Sequence, residues 1–188
     1  HGVQIICGAS GLDRLADLSE VEQCRLIQHL CRLQHDSDTI VIDTAAGISR
    51  SVVGFCLAAD RVLVVTTPEA TAMADSYGMI KVLARKGYTG PINLVVNMAR
   101  SPAEGKQTYQ RMADVAQKFL QTTVYHAGTL LKDERLCAAV RARTPVVLAY
   151  PKSQISASLA AVATRFGGTR RRAHGDDSFF RRVIRWLN

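Results

Sequence analysis

The amino-acid sequence predicts an α/β protein with a doubly wound, mostly parallel sheet. Short runs rich in β-branched residues recur along the chain, and a helical pattern separates each run from the next. The runs are apolar throughout rather than alternating, which is typical of strands covered on both faces. At 188 residues the chain can also bury one sizeable core. The predicted strands are residues 3–7, 39–43, 61–67, 91–98 and 122–128.

Helical patterns fill the intervals between these strands. The clearest start is Ser101, which precedes Pro102 and Glu104 and so offers a cap, a first-turn proline and a first-turn acid. The segment TPVVLAYP, residues 144–151, is interpreted as a link. The predicted helices are residues 19–34, 49–58, 69–86, 101–120, 133–142 and 154–166.

The chain divides into a domain, a linker and a terminal helix. Residues 1–166 form the α/β domain, residues 167–177 are a linker rich in Gly and Arg, and residues 178–188 are amphipathic. The net charge is +8, and residues 165–188 carry seven arginines against two aspartates. We therefore expect the acidic partner of this chain to meet its C-terminal segment.

Composition excludes several classes of protein. No run approaches the ~20 apolar residues of a membrane-spanning helix. The five cysteines are scattered, which argues against a disulfide framework or a zinc site and favours a reducing cytoplasm. The five histidines lack metal-binding spacing, so no metal is assigned to them. Because the chain begins HGVQIIC without Met, it is either processed or a fragment.

Asp43 is the first candidate site residue. A strand-end carboxylate followed by Ala45, Ala46 and Gly47 suits a Mg²⁺-bound water, and the small residues allow backbone N–H groups to approach a γ-phosphate. The alternative is an aspartate that only caps the next turn. No G-x-x-x-x-G-K-[ST] loop occurs in the sequence, so the chain as given is predicted not to be a complete nucleoside triphosphatase.

Asn97 is the second candidate. It ends the predicted strand 91–98, where its amide can donate to and accept from a base edge; the alternative is an Asx turn. Since ligands bind beyond the carboxyl ends of parallel strands, we expect Asp43, residues 66–69 and Asn97 to share one rim of the sheet.

The C-terminal segment has the clearest amphipathic pattern. Arginines occupy one arc of its helical wheel and bulky apolar residues the other, as in helices that lie on an anionic membrane surface. The alternative is a helix that docks on its own domain or on a partner protein. Nucleic-acid binding by the linker arginines is a weaker hypothesis. The arcs are Arg181, Arg182 and Arg185, and Phe179, Phe180, Val183, Ile184, Trp186 and Leu187.

Five segments in order resemble the MinD/ParA class of P-loop ATPases, and most closely the flagellar-number regulators FlhG and FleN. They are GASGLDRLADLS, IVIDTAAGIS, AADRVLVVTTPEATAMADSYGMIKVL, NMARSPAEG and AVRARTPVV. The resemblance covers nearly the whole chain. It implies ATP and Mg²⁺ as cofactors, and a Walker A loop with a further strand upstream of residue 1.

The resemblance also implies roles for individual residues. Asp43 matches the switch II aspartate that holds Mg²⁺ through water, with Gly47 in the same turn, and Asn97 matches the adenine-contacting asparagine. Residues 128–133, including Leu131 and Asp133, match a second base-side loop, although Leu131 stands where a proline is usual.

The implied function is an ATP-dependent switch that sets flagellar number and placement. The expected partners are a second copy of the chain, an FlhF-like GTPase, a flagellar transcription activator and the inner membrane, whose cytoplasmic face residues 178–188 would bind. Without a Walker A loop the chain alone is predicted to be inactive. The alternatives are a nucleotide-free adaptor of the same fold and a ParA-type partition ATPase that binds DNA nonspecifically.

Overall fold

The computed structural model describes residues 3–6, 37–167, 179, 182 and 183. These belong to two compact units, one formed by residues 1–58 with 172–188 and the other by residues 59–171. The predicted helix over residues 19–34 and the linker beyond residue 167 lie outside the described residues.

In the first unit, one helix follows a turn that contains Gly47. This helix, α1, spans Arg50–Ala58, as the pattern over residues 49–58 predicts. Residues 3–6 and 39–43 have no regular secondary structure, so the strands predicted there are wrong for the described residues. A strand needs a neighbouring backbone to complete its hydrogen-bond ladder, and no described residue pairs with either segment.

The second unit has a three-stranded parallel sheet among the described residues, in the order β1-β2-β3. The strands are β1 Val62–Thr66, β2 Ile92–Ala99 and β3 Val124–Leu131. Val64 pairs with Leu94, which in turn pairs with His126. Three of the five predicted strands are therefore confirmed, and β3 continues three residues further than predicted.

Helices connect these strands. Their bounds are α2 Ala70–Arg85, α3 Pro102–Leu120, α4 Glu134–Arg141, α5 Val146–Ala149 and α6 Gln154–Gly167. The short helix α5 replaces the predicted link over residues 144–151. Pro145 fixes the backbone before this turn, and its carbonyl oxygen accepts from the N–H groups of Leu148 and Ala149.

The core of this unit lies around β2. Leu94, Val95 and Val96 are successive residues that point to alternate faces of the sheet, and all three are buried. On one side, Val95 belongs to a buried cluster completed by residues of β3, α4, α5 and α6. Helix α3 packs against β2 and β3, and α2 packs against α3 and β1. The predicted α/β class with a parallel sheet is confirmed.

Among the helices of the described residues, none has the length and hydropathy needed to cross a membrane.

Candidate functional site

The rim formed by the carboxyl ends of β1 and β2 begins with an ordered turn. Thr66 is buried, and its Oγ1 donates to the carbonyl oxygen of Thr67 at 3.3 Å. The Thr67 side-chain oxygen accepts from the N–H of Glu69 at 3.4 Å, immediately before α2 begins. Because β1 and β2 are parallel neighbours, residues 66–69 and Asn97 lie on the same rim, as predicted.

Asn97 lies at an irregularity in β2. The pairing with β3 shifts register between Val96 and Ala99, and Met98 adopts a left-handed conformation with φ +57°. The Oδ1 of Asn97 accepts from the N–H of Met98 at 2.9 Å. This local bond holds the amide group, while Nδ2 carries two donor hydrogens and Oδ1 has a second lone pair. The arrangement can recognise a base edge, although the local bond also fits the Asx-type alternative.

The segment after β3 joins the same rim. Ala99 pairs with Leu131, and the N–H of Lys132 donates to the carbonyl oxygen of Ala99 at 2.9 Å. Asp133 then caps α4, since its Oδ1 accepts from the N–H of Arg135 at 2.7 Å. The structure therefore brings Asn97, Leu131 and Asp133 to one edge of the sheet, and it gives the Asp133 carboxylate a helix-capping role.

Two hydrogen bonds made by the side chains of Ser101 and Glu104 fix the loop between Asn97 and α3. Ser101 Oγ accepts from the N–H of Glu104 at 3.1 Å, and Glu104 Oε2 accepts from the N–H of Arg100 at 2.6 Å. The pattern Ser101-x-x-Glu104 signals this cap in the sequence. The bond from the Arg100 N–H to Glu104 holds the backbone just after Ala99, and this bond is visible only in the structure.

Asp43 lies in the other unit and is exposed. It precedes a turn in which Gly47 has φ +96°, a conformation that L side chains rarely adopt. Ser49 then caps α1, with its Oγ 3.5 Å from the N–H of Val52. The expectation that Asp43 ends a buried strand is wrong for this structure, because Val41 beside it is 85% exposed. A single accessible carboxylate next to a glycine turn still suits one water-mediated Mg²⁺ contact.

Three residues of the C-terminal segment are described, and two of them, Phe179 and Arg182, contact α1. Phe179 is buried and stacks on Phe55, with ring centroids 6.3 Å apart and an interplanar angle of 15°. Val183, one turn later, is 3% exposed. The guanidinium of Arg182 donates to the Ala58 carbonyl oxygen from Nη2 at 2.8 Å and from Nε at 3.2 Å.

These contacts match the docked-helix alternative in this structure, while membrane binding stays a prediction. Arg182 places a cation on a carbonyl at the C-terminus of α1, where the helix dipole is negative. Residues 58 and 182 are far apart in sequence, so no local signal could reveal this cap. The other predicted membrane residues lie outside the described ones: Phe180, Arg181, Ile184, Arg185, Trp186 and Leu187.

His126 contacts one side chain on β3 and another on α3. Its Nε2 lies 3.3 Å from Thr129 Oγ1, and its ring centroid lies 4.6 Å from that of Tyr109. Burial and the charge of Arg165 lower the pKa of His126, against an opposing contribution from its hydrogen bond to the Gly128 backbone. Within the part of the chain that the structure describes, no group of three or more His, Cys, Asp or Glu could hold a metal ion.

Comparisons with known proteins are consistent with this arrangement. The chain is 36% identical over 164 residues to the antiactivator FleN of Pseudomonas aeruginosa, covering 87% of the chain and 59% of FleN. It is 30% identical over 193 residues to the flagellum site-determining protein YlxH of Helicobacter pylori, covering 99% of the chain and 65% of YlxH. The chain thus spans less than two thirds of either relative. No family model matches it.

Among solved structures, the cell division ATPase MinD of Pyrococcus furiosus has the same fold. The TM-score is 0.59 at 19% identity, over 76% of this chain and 56% of MinD. The parallel sheet, its rim and these similarities place the chain in the MinD/ParA class. Within that class it is an FlhG/FleN-like protein.

Proposed function

We propose that the protein carrying these residues is an ATP-dependent switch that regulates flagellar number and placement. The flagellar assignment rests on the similarity to FleN, an antiactivator, and to YlxH, a flagellum site-determining protein. In the host bacterium, deletion of the gene is expected to change the number or position of flagella counted by electron microscopy. Unchanged flagella would contradict the proposal.

The base-side rim, formed by Asn97 and residues 131–133, is one part of the nucleotide site that this chain supplies. Asn97 contacts the adenine, and the backbone of residues 131–133 closes over it, because the Lys132 N–H ties that segment to Ala99. The side chains of Ser101 and Glu104 hold the intervening loop by accepting from backbone N–H groups. Since sequence 1–188 contains no phosphate-binding loop, tests of nucleotide binding use the intact protein that carries these residues.

Asn97→Ala tests this assignment in the intact protein. Loss of the amide is expected to weaken ATP binding about 10-fold or more by calorimetry, since one hydrogen-bonding group is worth ~1–2 kcal/mol. Asn93→Ala is the matched control. Asn93 lies on the same strand, but its Nδ2 donates to the Pro91 carbonyl oxygen at the opposite end of β2. An equal effect of both variants would contradict the base-contact role.

Asp43 supplies the metal-side contact. When bound, Mg²⁺ neutralises charge on the phosphates during in-line attack by water. The carboxylate of Asp43 would hold Mg²⁺ through water, and the turn at Gly47 would let the backbone approach the γ-phosphate. Asp43→Asn in the intact protein is expected to reduce ATP hydrolysis by about 100-fold or more while ATP binding persists. Asp38→Asn, at an exposed aspartate of the same segment, is the control.

Membrane docking through residues 178–188 is the output of the proposed switch. The Gly47 turn leads within a few residues into α1, and α1 holds Phe179 and Arg182 through Phe55 and Ala58. Movement of the turn with the nucleotide would release the apolar face of the C-terminal helix. The ATP-bound form, a dimer of two copies, would then bind the cytoplasmic face of the inner membrane.

Two phenylalanine variants distinguish release from simple damage. Phe55→Ala removes the stacking partner on α1, so it is expected to increase binding to anionic liposomes without ATP. Phe179→Ala removes an inserting residue, so it is expected to decrease binding in all conditions. If both variants change liposome binding in the same direction, the proposed competition between α1 and the membrane is wrong.

The remaining partners follow from the same similarity. An FlhF-like GTPase and a flagellar transcription activator are the expected protein partners. Purified activator is expected to co-elute with the ATP-bound intact protein and not with the Asn97→Ala variant. Co-elution that is independent of nucleotide would show that the switch does not control this partner.

A further inference from the structure

A basic stretch covers the end of the second unit. Residues 135–167 contain no Asp or Glu, and they contain five cations: Arg135, Arg141, Arg143, Lys152 and Arg165. None of these five residues belongs to the base-side rim of Asn97 and residues 131–133. Because all five charges have one sign, this segment attracts an acidic surface.

Four apolar side chains are exposed within the same stretch. Val140 near the end of α4 is 68% exposed, and Leu148 on α5 is 54% exposed. Val147 and Tyr150 are 43% and 38% exposed. We call these four residues the α4–α5 patch. The core of the unit does not need them, since Val146 and Ala139 supply its buried contacts here.

The backbone of the α4–α5 patch is held in place. Helix α4 ends in a Schellman turn, in which the N–H of Arg143 donates to the Val140 carbonyl oxygen and the N–H of Thr144 donates to that of Ala139. The chain then reverses, and α5 packs against α4.

The other end of the patch is held by two buried serines. Ser153 Oγ and Ser156 Oγ each lie 2.8 Å from the Tyr150 carbonyl oxygen, and the two hydroxyls lie 3.0 Å apart. The backbone that carries these four side chains is therefore held at both ends, which lowers the ordering cost of binding a partner.

We propose that the α4–α5 patch binds an acidic amphipathic helix of a partner protein. The apolar face of that helix packs on Val140, Val147, Leu148 and Tyr150, and its carboxylates face Arg141, Arg143 and Lys152. Charge complementarity selects an acidic partner, and apolar side chains beside arginine and tyrosine are typical of the centres of protein interfaces.

Two other acidic ligands fit the patch less well. A membrane surface is usually bound by a continuous amphipathic helix, whereas α5 is four residues long and α4 ends before it. A single-stranded nucleic acid is bound by several stacking aromatic residues, whereas Tyr150 is the one aromatic residue of the patch. Binding assays with anionic vesicles and with single-stranded DNA distinguish these two ligands from an acidic helix.

The test uses the intact protein and a designed probe. The probe is a fluorescein-labelled peptide of about 18 residues, five helical turns, with Leu at i, i+3, i+4 and i+7 spacing and Glu elsewhere. Fluorescence anisotropy is expected to show binding that weakens as salt rises. A peptide of the same composition with the leucine spacing scrambled is expected to bind at least about 10-fold more weakly. Absence of binding, or equal binding of both peptides, overturns the proposal.

Variants locate the binding to the patch. Leu148→Ser with Tyr150→Ser removes apolar area, and Arg141→Glu with Lys152→Glu reverses two charges. Each pair is expected to weaken probe binding about 10-fold or more. Lys106→Glu with Lys118→Glu reverses two exposed charges on α3 and is expected to leave binding unchanged. Equal weakening by this control pair would overturn the proposal.

Parallel assays distinguish the ligand classes and check that each variant is folded. Circular dichroism of every variant checks folding, and Arg141→Gln alone provides a milder charge variant if a pair unfolds. The proposal is also overturned if the patch variants lose binding to anionic vesicles or to single-stranded DNA while the acidic peptide binds as before. Because nucleotide binding is not read here, failure of this proposal is distinct from failure of the ATP switch.

Discussion

Two sets of apolar, β-branched runs have opposite outcomes in this protein. In the unit of residues 59–171, the runs form β1, β2 and β3, and residues of β2 are completely buried. In the other unit, residues 3–6 and 39–43 have the same type of sequence but no strand, and all their apolar side chains except the half-buried Ile42 are exposed. An apolar run therefore gives a strand only where a neighbouring backbone and a covering helix are available.

The largest expected effect comes from truncating the same side chain in both sets. Val96→Ala, at 0% exposure in β2, is expected to lower the free energy of unfolding by about 2–3 kcal/mol through lost burial and a cavity. Val41→Ala, at the exposed position, is expected to change it by less than about 0.5 kcal/mol. Urea denaturation measures both. If the two losses are similar, Val41 is buried in solution and the contrast between the two sets does not hold.

Two helical glycines allow a closely packed position to be compared with an open one. In Gly105→Ala, the added Cβ would lie 2.6 Å from Thr129 Oγ1 and against the Thr129 methyl group. Overpacking at this site is expected to cost about 1–2 kcal/mol of the free energy of unfolding. Gly78 on α2 has nothing within 4 Å of such a Cβ. Gly78→Ala is therefore expected to stabilise by about 0.5–1 kcal/mol.

Thermal denaturation of both glycine variants would show opposite shifts of the midpoint. The double variant Gly105→Ala with Thr129→Ala relieves part of the clash and is expected to recover part of the loss. Destabilisation by Gly78→Ala would show that α2 has a neighbour in solution that the described residues do not include.

The sequence was sufficient where local pattern and long-range pairing agree. Apolar runs and caps predict β1, β2, β3 and the longer helices, and the ends of the predicted strands bring residues 66–69 and Asn97 to one rim. Residues 39–43 show the limit of strand prediction, because an apolar run does not reveal whether a neighbouring strand exists to pair with it. The same limit applies to the contact of Phe179 with Phe55, because no periodicity connects residues so far apart.

Backbone strain is a further feature that composition does not reveal. Arg143 has φ +52°, at the position of a Schellman turn where glycine is usual. Arg143→Gly is expected to stabilise by up to about 1 kcal/mol, because relief of left-handed strain outweighs the added freedom of the unfolded chain. Gly87, with φ +75°, supplies the converse: Gly87→Ala is expected to destabilise by a similar amount. Urea denaturation in which Arg143→Gly destabilises would show that its side chain makes a stabilising contact larger than the strain.

The smallest effect is expected from the titration of His126, a β3 residue in contact with Tyr109 of α3. Its folded pKa lies below the ordinary value of 6.5 because burial, then Arg165, disfavours the charged imidazole, despite the opposing Gly128 hydrogen bond. As pH falls through 6.5, the unfolded chain takes up this proton before the folded chain does, so the free energy of unfolding decreases. Above that range both states are neutral and His126 contributes no pH dependence. Urea denaturation from about pH 8 to about pH 5.5 is expected to show a smaller decrease for His126→Gln than for the natural chain. An equal decrease would mean that the His126 ring is as accessible to solvent in the folded chain as in the unfolded chain. Its contact with Tyr109 would then be absent in solution.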